Sequence, residues 1–198
     1  MYRCAFAAEH TVYTLVDRET GEHVLGVFNS AADYKAYCKE NELDIGDVEI
    51  EKERVVDPLS HALANVKSVM ARVEEEGDKV IVCLSKGNCF RYDLATMKEY
   101  KGNRKDMEKP VYYEEVREYL AKYWDTRVFQ QLEADDAVAL MQERALQEDP
   151  KGFTTVIASI DKDLLQVPGL HYNWVNEERV LIKPDVGLKK KYIQVLTG

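Results

Sequence analysis

Apolar positions along this chain switch repeatedly between a spacing of two and a spacing near 3.6, which predicts strands alternating with helices. Residues 1–9 (MYRCAFAAE) are short, apolar and read as helical. Thr11–Asp17 and His23–Phe28 alternate on either side of Arg-Glu-Thr-Gly-Glu, the pattern of a β-hairpin. Asn29-Ser30 caps a helix that carries Ala32, Tyr34, Ala36 and Tyr37 toward Glu40. Val48–Val56 (VEIEKERVV) alternates apolar with charged side chains, as a half-exposed strand does. Asp57 as N-cap and Pro58 at the first helical position open a helix whose apolar face is Leu59, Leu63, Val66, Val69, Met70 and Val73, ended by Gly77. His61, near its start, has no second His or Cys at ligand spacing and reads as a surface or capping residue. Lys79–Leu84 (KVIVCL) has the composition of a fully buried strand, with Ser85–Asn88 as its turn. A helix follows Pro110 through Trp124, with Val116, Leu120 and Tyr123 on one face, then a short strand at Arg127–Phe129. Ala137, Leu140, Met141 and Ala145 mark the next helix. Beyond a Pro-Lys-Gly break come a buried strand at Thr154–Ile160, strands at Leu170–Val175 and Val180–Ile182, and a final helix at Gly187–Leu196.

Buried strands alternating with helices define the α/β class: a mostly parallel or mixed sheet flanked by helices, elaborated by the N-terminal hairpin. At 198 residues, one domain spanning 1–198 is expected. The apolar content of 45% fits a packed core, and no apolar run reaches the length of a membrane span. There is no signal-peptide pattern. The four cysteines, Cys4, Cys38, Cys83 and Cys89, lack any CxxC spacing; they read as free thiols in a reducing cytoplasm and argue against a zinc site. A net charge of −9 argues against bulk electrostatic binding of nucleic acid. Two local basic clusters stand against that average, at 98–105 (KEYKGNRK) and 189–191 (KKK).

The chemistry concentrates between Leu132 and Gln166. Glu133, Asp135 and Asp136 open one helix, and Asp161 and Asp163 follow the next buried strand. Ligands gather at the carboxyl ends of strands in open α/β sheets, so one helix–strand unit returns both clusters to one edge. Five carboxylates in one place repel unless a cation sits among them. With no His or Cys nearby, such a set suits a hard oxygen-loving ion, Mg²⁺ or Mn²⁺. Taken singly, acids in a first helical turn also complement the macrodipole and cap the helix. Arg91, Tyr92, Tyr100, Lys101 and Arg104 place cations among aromatic rings, a mixture that can hold phosphates and stack a base, or simply form a solvated loop over core tyrosines.

These pieces occur in the order found in the 5′-nucleases, the family of flap endonucleases, the 5′–3′ exonuclease domain of bacterial DNA polymerase I and phage exonucleases. Tyr2–Glu9 resembles that family's helix after its first strand. Phe90-Arg91 with Tyr100-Lys101-Gly102-Asn103-Arg104 resembles its Phe-Arg…Tyr-Lys-x-Asn-Arg segment, Leu132–Asp136 its Glu-Ala-Asp-Asp helix start, and Ile160–Gln166 its Gly-Asp-Lys-Asp-Leu-Leu-Gln segment. The resemblance implies a PIN-like 5′-nuclease fold. It implies metal-dependent hydrolysis of DNA phosphodiesters as a 5′–3′ exonuclease or flap endonuclease, acting at 5′ ends, flaps or single-strand/duplex junctions. Glu133, Asp135 and Asp136 would then serve mainly one Mg²⁺, and Asp161 and Asp163 a second. Lys101 and Arg104 would hold the scissile phosphate, Tyr100 would stack a nucleobase, and Arg91 would join them in binding nucleic acid. A phage-type origin fits the 11–56 elaboration.

The chain departs from that family in three places. No apolar strand ending in an Asp precedes Tyr2-Arg3. The strand at 79–84 is followed by Ser85-Lys86-Gly87, with a cation where the family has a carboxylate. Lys191–Leu196 resembles the helix that in the family leads into an Asp-rich helix–hairpin–helix gripping duplex DNA, and the sequence stops at Gly198, where that module would begin, as expected of a fragment of a longer nuclease or of a truncated relative. A domain incomplete at both ends would leave sheet edges open to a second copy or a partner chain. The alternative function is therefore a catalytically impaired homologue acting as a DNA-binding or protein-interaction module. A PIN-type ribonuclease is disfavoured by the Tyr-Lys-Gly-Asn-Arg segment.

Overall fold

The computed structural model describes residues 2–21, 23–96, 99–102 and 108–197. The chain divides into two compact units, one made of Met1–Val66 with Lys109–Val116, the other of Lys67–Glu108 with Arg117–Gly198.

In the first unit, a short helix α1 (Tyr2–Phe6) leads into β1 (Glu9–Asp17), which pairs antiparallel with β2 (His23–Phe28) and with β3 (Val48–Val56) in the order β2-β1-β3. The hairpin and the half-exposed strand expected from the alternation are both present. Side chains alternate between the two faces of a strand. Tyr13 and Leu15 therefore share a face, and with Val48 and Ile50 of β3 they pack against Tyr34, Tyr37 and Cys38 of helix α2 (Ala31–Glu40). Ser30 caps α2 by accepting a hydrogen bond from the Asp33 amide at 3.2 Å. Leu15 is fully buried, and the Tyr13–Tyr34 and Phe28–Tyr37 rings stand 5.4 and 5.3 Å apart. The charged side chains at 51–54 of β3 are exposed; Arg54 pairs with Glu9, whose other carboxylate oxygen accepts from the Val111 amide at 2.6 Å.

Helix α3 (Leu59–Glu74) starts where Asp57-Pro58 predicts, and His61 is a surface residue whose Nδ1 lies 3.1 Å from Asp57.

The second unit carries the parallel pairs that define the α/β class. β4 (Ile81–Cys89) runs parallel to β5 (Asp125–Gln131), and β6 (Val156–Ala158) runs parallel to β7 (Gly169–Asn173), with β8 (Glu178–Ile182) antiparallel on the far side. The helices are α4 (Arg91–Leu94), α5 (Tyr113–Tyr123, which begins in the first unit), α6 (Ala134–Glu148) and α7 (Pro184–Thr197). Among the described residues, the strands form three separate sheets, and β4 pairs with β5 alone. The strand KVIVCL, expected to be fully buried, is accordingly only half-buried over Ile81–Cys83, with Leu84 enclosed.

Two local expectations change. Ser85–Asn88 is not a turn: the ladder with β5 continues through Ser85 and Lys86, then shifts so that Cys89 faces Gln131. Gly87, at φ +75°, and Asn88 are the extra residues of a bulge, a conformation that glycine adopts without steric cost. On α6, Leu140 is exposed, because the buried stripe runs through Ala137 and Gln142 and leaves position 140 to one side. No described helix is long and apolar enough to cross a membrane.

Candidate active site

Parallel pairing sets the exits of β4 and β5 side by side. The Phe90 amide donates to the Gln131 carbonyl at 2.9 Å, tying the two exits together. Arg91 follows Phe90 as the first residue of α4, and Glu133 follows Gln131 by two residues as the N-cap of α6. Gln131 itself takes φ +58°, an uncommon conformation for a non-glycine residue, at the point where the chain turns from strand to helix.

Glu133, Asp135 and Asp136 converge here, each offering an oxygen within 4.8 Å of the others. Glu133 makes no side-chain capping bond to its own helix. Its carboxylate faces three donors instead. The Tyr100 hydroxyl donates to Oε2 at 2.7 Å, Arg91 Nη1 donates to the same oxygen at 3.2 Å, and the Lys101 ammonium pairs with Oε1. Asp136 receives the two arms of the Arg91 guanidinium, one of them Nη2 to Oδ1 at 2.7 Å. Asp135 is exposed, and its Oδ1 accepts from the Asp136 amide at 3.0 Å.

The electrostatics follow from these contacts. The Asp136 hydrogen bonds raise the Arg91 pKa and hold it protonated, and Arg91 in turn holds the Asp136 carboxyl below the usual carboxylate range. Burial pushes Glu133 up, but the Lys101 and Tyr100 hydrogen bonds and the nearby positive charges together bring it below its ordinary value. Lys101 is raised: burial opposes its charge, and Glu133 more than compensates. Burial and the bond to Glu133 both raise the Tyr100 hydroxyl.

The aromatic part is compact. Tyr92 meets Tyr100 edge to face with centroids 5.4 Å apart, while the Lys101 ammonium and the Arg91 guanidinium lie 5.2 and 5.9 Å from the Tyr100 ring. Lys101 is held at φ +52°. Arg104 lies outside the described residues. Asp161 and Asp163 stand beyond β6, both exposed, and do not join the three-carboxylate group. Asp161 caps the short 3₁₀ helix Lys162–Gln166 by accepting from the Asp163 amide at 2.9 Å.

A family profile described as "5'-3' exonuclease, N-terminal resolvase-like domain" matches residues 34–192, four-fifths of the chain. The chain belongs to this 5′–3′ exonuclease family. No curated protein and no solved structure matches it. Membership supports a nuclease function with DNA as substrate, and the α/β architecture agrees with the family's resolvase-like, PIN-like domain. Families of this kind are typically metal-dependent, and the carboxylate group fits that need: three oxygen donors within 4.8 Å, and no nitrogen or sulfur ligand in the set, suit a hard divalent cation. Sequence reasoning placed Arg91, Tyr92, Tyr100 and Lys101 in one segment but missed the direct pairing of Arg91 with Asp136. A signal for that pair was present, since a cation two residues past a parallel strand's exit lies beside whatever opens the helix after the neighbouring strand.

Proposed function

We propose that this chain is a metal-dependent 5′-nuclease, an exonuclease or flap endonuclease that hydrolyses DNA phosphodiesters near 5′ ends. The observation carrying this reading is the convergence of Glu133, Asp135 and Asp136 directly beside Arg91, Tyr100 and Lys101 at one strand edge. Glu133, Asp135 and Asp136 would hold one Mg²⁺ or Mn²⁺, and Asp161 and Asp163 a second. The chemistry such cations supply when bound is Lewis-acid activation of water and neutralisation of charge at the phosphoryl group. Lys101, with Arg104, holds the scissile phosphate and offsets the charge that develops on it. Arg91 grips a phosphate through its planar fork, and the Tyr100 ring, backed by Tyr92, offers a face to a nucleobase.

A second reading, a catalytically impaired homologue that binds DNA or a protein, is favoured by one observation. Lys86 stands exposed near the end of β4, opposite Gln130, where the family resemblance calls for a carboxylate. One experiment separates the two. The chain is incubated with a 5′-labelled flap and a linear duplex, in Mg²⁺ or Mn²⁺ and in EDTA, beside a double variant carrying Asp135→Asn and Asp161→Asn. Cleavage that needs the metal and disappears in the variant upholds the enzyme. A folded chain that binds DNA without cutting it sinks autonomous catalysis and leaves the second reading.

A further inference from the structure

We propose that Arg91 and Lys101 form a cationic latch over Glu133 and Asp136, that a divalent cation is held there only when the latch leaves, and that a nucleic-acid phosphate draws it off. The proposal rests on the reading above of these acids as metal ligands.

Every carboxylate oxygen of the two latched residues is engaged by the protein's own donors. Lys101 takes Oε1 of Glu133, Arg91 and Tyr100 take Oε2, and the Arg91 fork takes both oxygens of Asp136. Asp135 alone of the three has no cationic partner among the described residues. Three carboxylates against two cations leave a local charge of −3 + 2 = −1, already nearly balanced. A divalent ion entering beside the closed latch would reverse that charge and find few free lone pairs, so like-charge repulsion opposes its entry.

A phosphodiester changes this balance. The guanidinium fork that fits a carboxylate fits a phosphate equally well, and an ammonium pairs with either. Transfer of Arg91 and Lys101 from carboxylates to phosphates exposes the oxygens of Glu133 and Asp136 and removes two positive charges from their side. Nucleic acid and metal then bind with positive coupling. Linkage requires the coupling to be reciprocal.

The test reads Mn²⁺ binding by the paramagnetic resonance of the free ion, with and without a short 5′-phosphorylated oligothymidylate. It compares the wild-type chain with Arg91→Gln, Lys101→Gln and a Glu133→Gln, Asp136→Asn double variant, each checked for folding by circular dichroism. The latch predicts tighter Mn²⁺ binding by Arg91→Gln and by Lys101→Gln without DNA. It also predicts that the oligonucleotide tightens Mn²⁺ binding to wild type by about 5- to 150-fold and has much less effect in either latch variant. Should Arg91→Gln fail to fold, Lys101→Gln carries the same prediction from a loop position. Mn²⁺ binding that is unchanged or weaker in a folded latch variant, yet lost in the double carboxylate variant, overturns the latch and leaves the metal site standing. No Mn²⁺ binding by any form overturns both.

Discussion

Gly169 opens β7 at φ +125°, a backbone region that L residues rarely adopt. A Cβ there would overlap the amide nitrogen of Gln142 and lie 3.0 Å from its Cδ and 3.5 Å from its Cγ. Gln142 cannot simply swing aside. It is 4% exposed, and its Oε1 accepts a 2.9 Å hydrogen bond from the Thr155 hydroxyl. Gly169→Ala therefore meets two costs at once: backbone strain of about 1–3 kcal/mol, and overpacking of about 1–3 kcal/mol where a buried side chain must shift. A combined loss of about 3–4 kcal/mol corresponds, for a chain of this size, to a melting-temperature drop of roughly 6–16 °C. Thermal denaturation followed by circular dichroism measures it. Adding Gln142→Ala to the same chain removes the overlap and leaves the strain, so the double variant should lose less than the sum of the two single losses. A Gly169→Ala chain that melts within about one degree of wild type would refute the reasoning, because strain and overlap of this kind ordinarily cost far more than such a shift allows.

Two further outcomes test the rest of the chain. Leu15→Ala, which empties a fully buried position under α2, should cost about 2–5 kcal/mol, read as a lower denaturation midpoint. Arg91 holds Asp136 below its ordinary pKa, and Lys101 with Tyr100 lowers Glu133 against the upward push of burial. A lowered folded value means the stabilisation is complete above the unfolded carboxylate value of about 4 and is lost as the pH falls through the folded one. Wild type should thus lose melting temperature on acidification more steeply than Asp136→Asn; equal slopes would show that the pair contributes nothing.

Much of this architecture is legible from local signals. The hairpin, the β3 strand, the Ser30 cap and the Asp57-Pro58 start rest on alternation and on end residues, which act over a few positions. The β4 bulge is not legible in this way. Ser85-Lys86-Gly87-Asn88 has turn composition, yet Ser85 and Lys86 stay in the ladder because β5 supplies hydrogen-bond partners from some forty residues away. Leu140 misled for a related reason: 137, 140, 141 and 145 fit a helical face, but the neighbours present on one side select 137 and 142.

The acidic clusters show what periodicity and spacing leave undecided. From sequence, Glu133 at a helix start reads as a cap or a metal ligand, and Asp161 past a strand as a turn residue or a metal ligand. The geometry separates them. Asp161 spends one oxygen on the Asp163 amide of its own 3₁₀ turn, as a cap does. Glu133 sits at the N-cap position with extended backbone, makes no capping bond, and turns its carboxylate toward Arg91, Tyr100 and Lys101. A side chain that forgoes the nearest backbone donors in favour of cations brought from another strand's exit is positioned by tertiary structure, not by its helix. The electrostatic weight of this site therefore lies on Glu133 and Asp136. On the proposed reading, substitution there should alter metal and nucleic-acid binding together, whereas Asp161→Asn, which keeps an oxygen for the Asp163 amide, should preserve the turn and weaken only the second proposed ion, as Mn²⁺ titration would read.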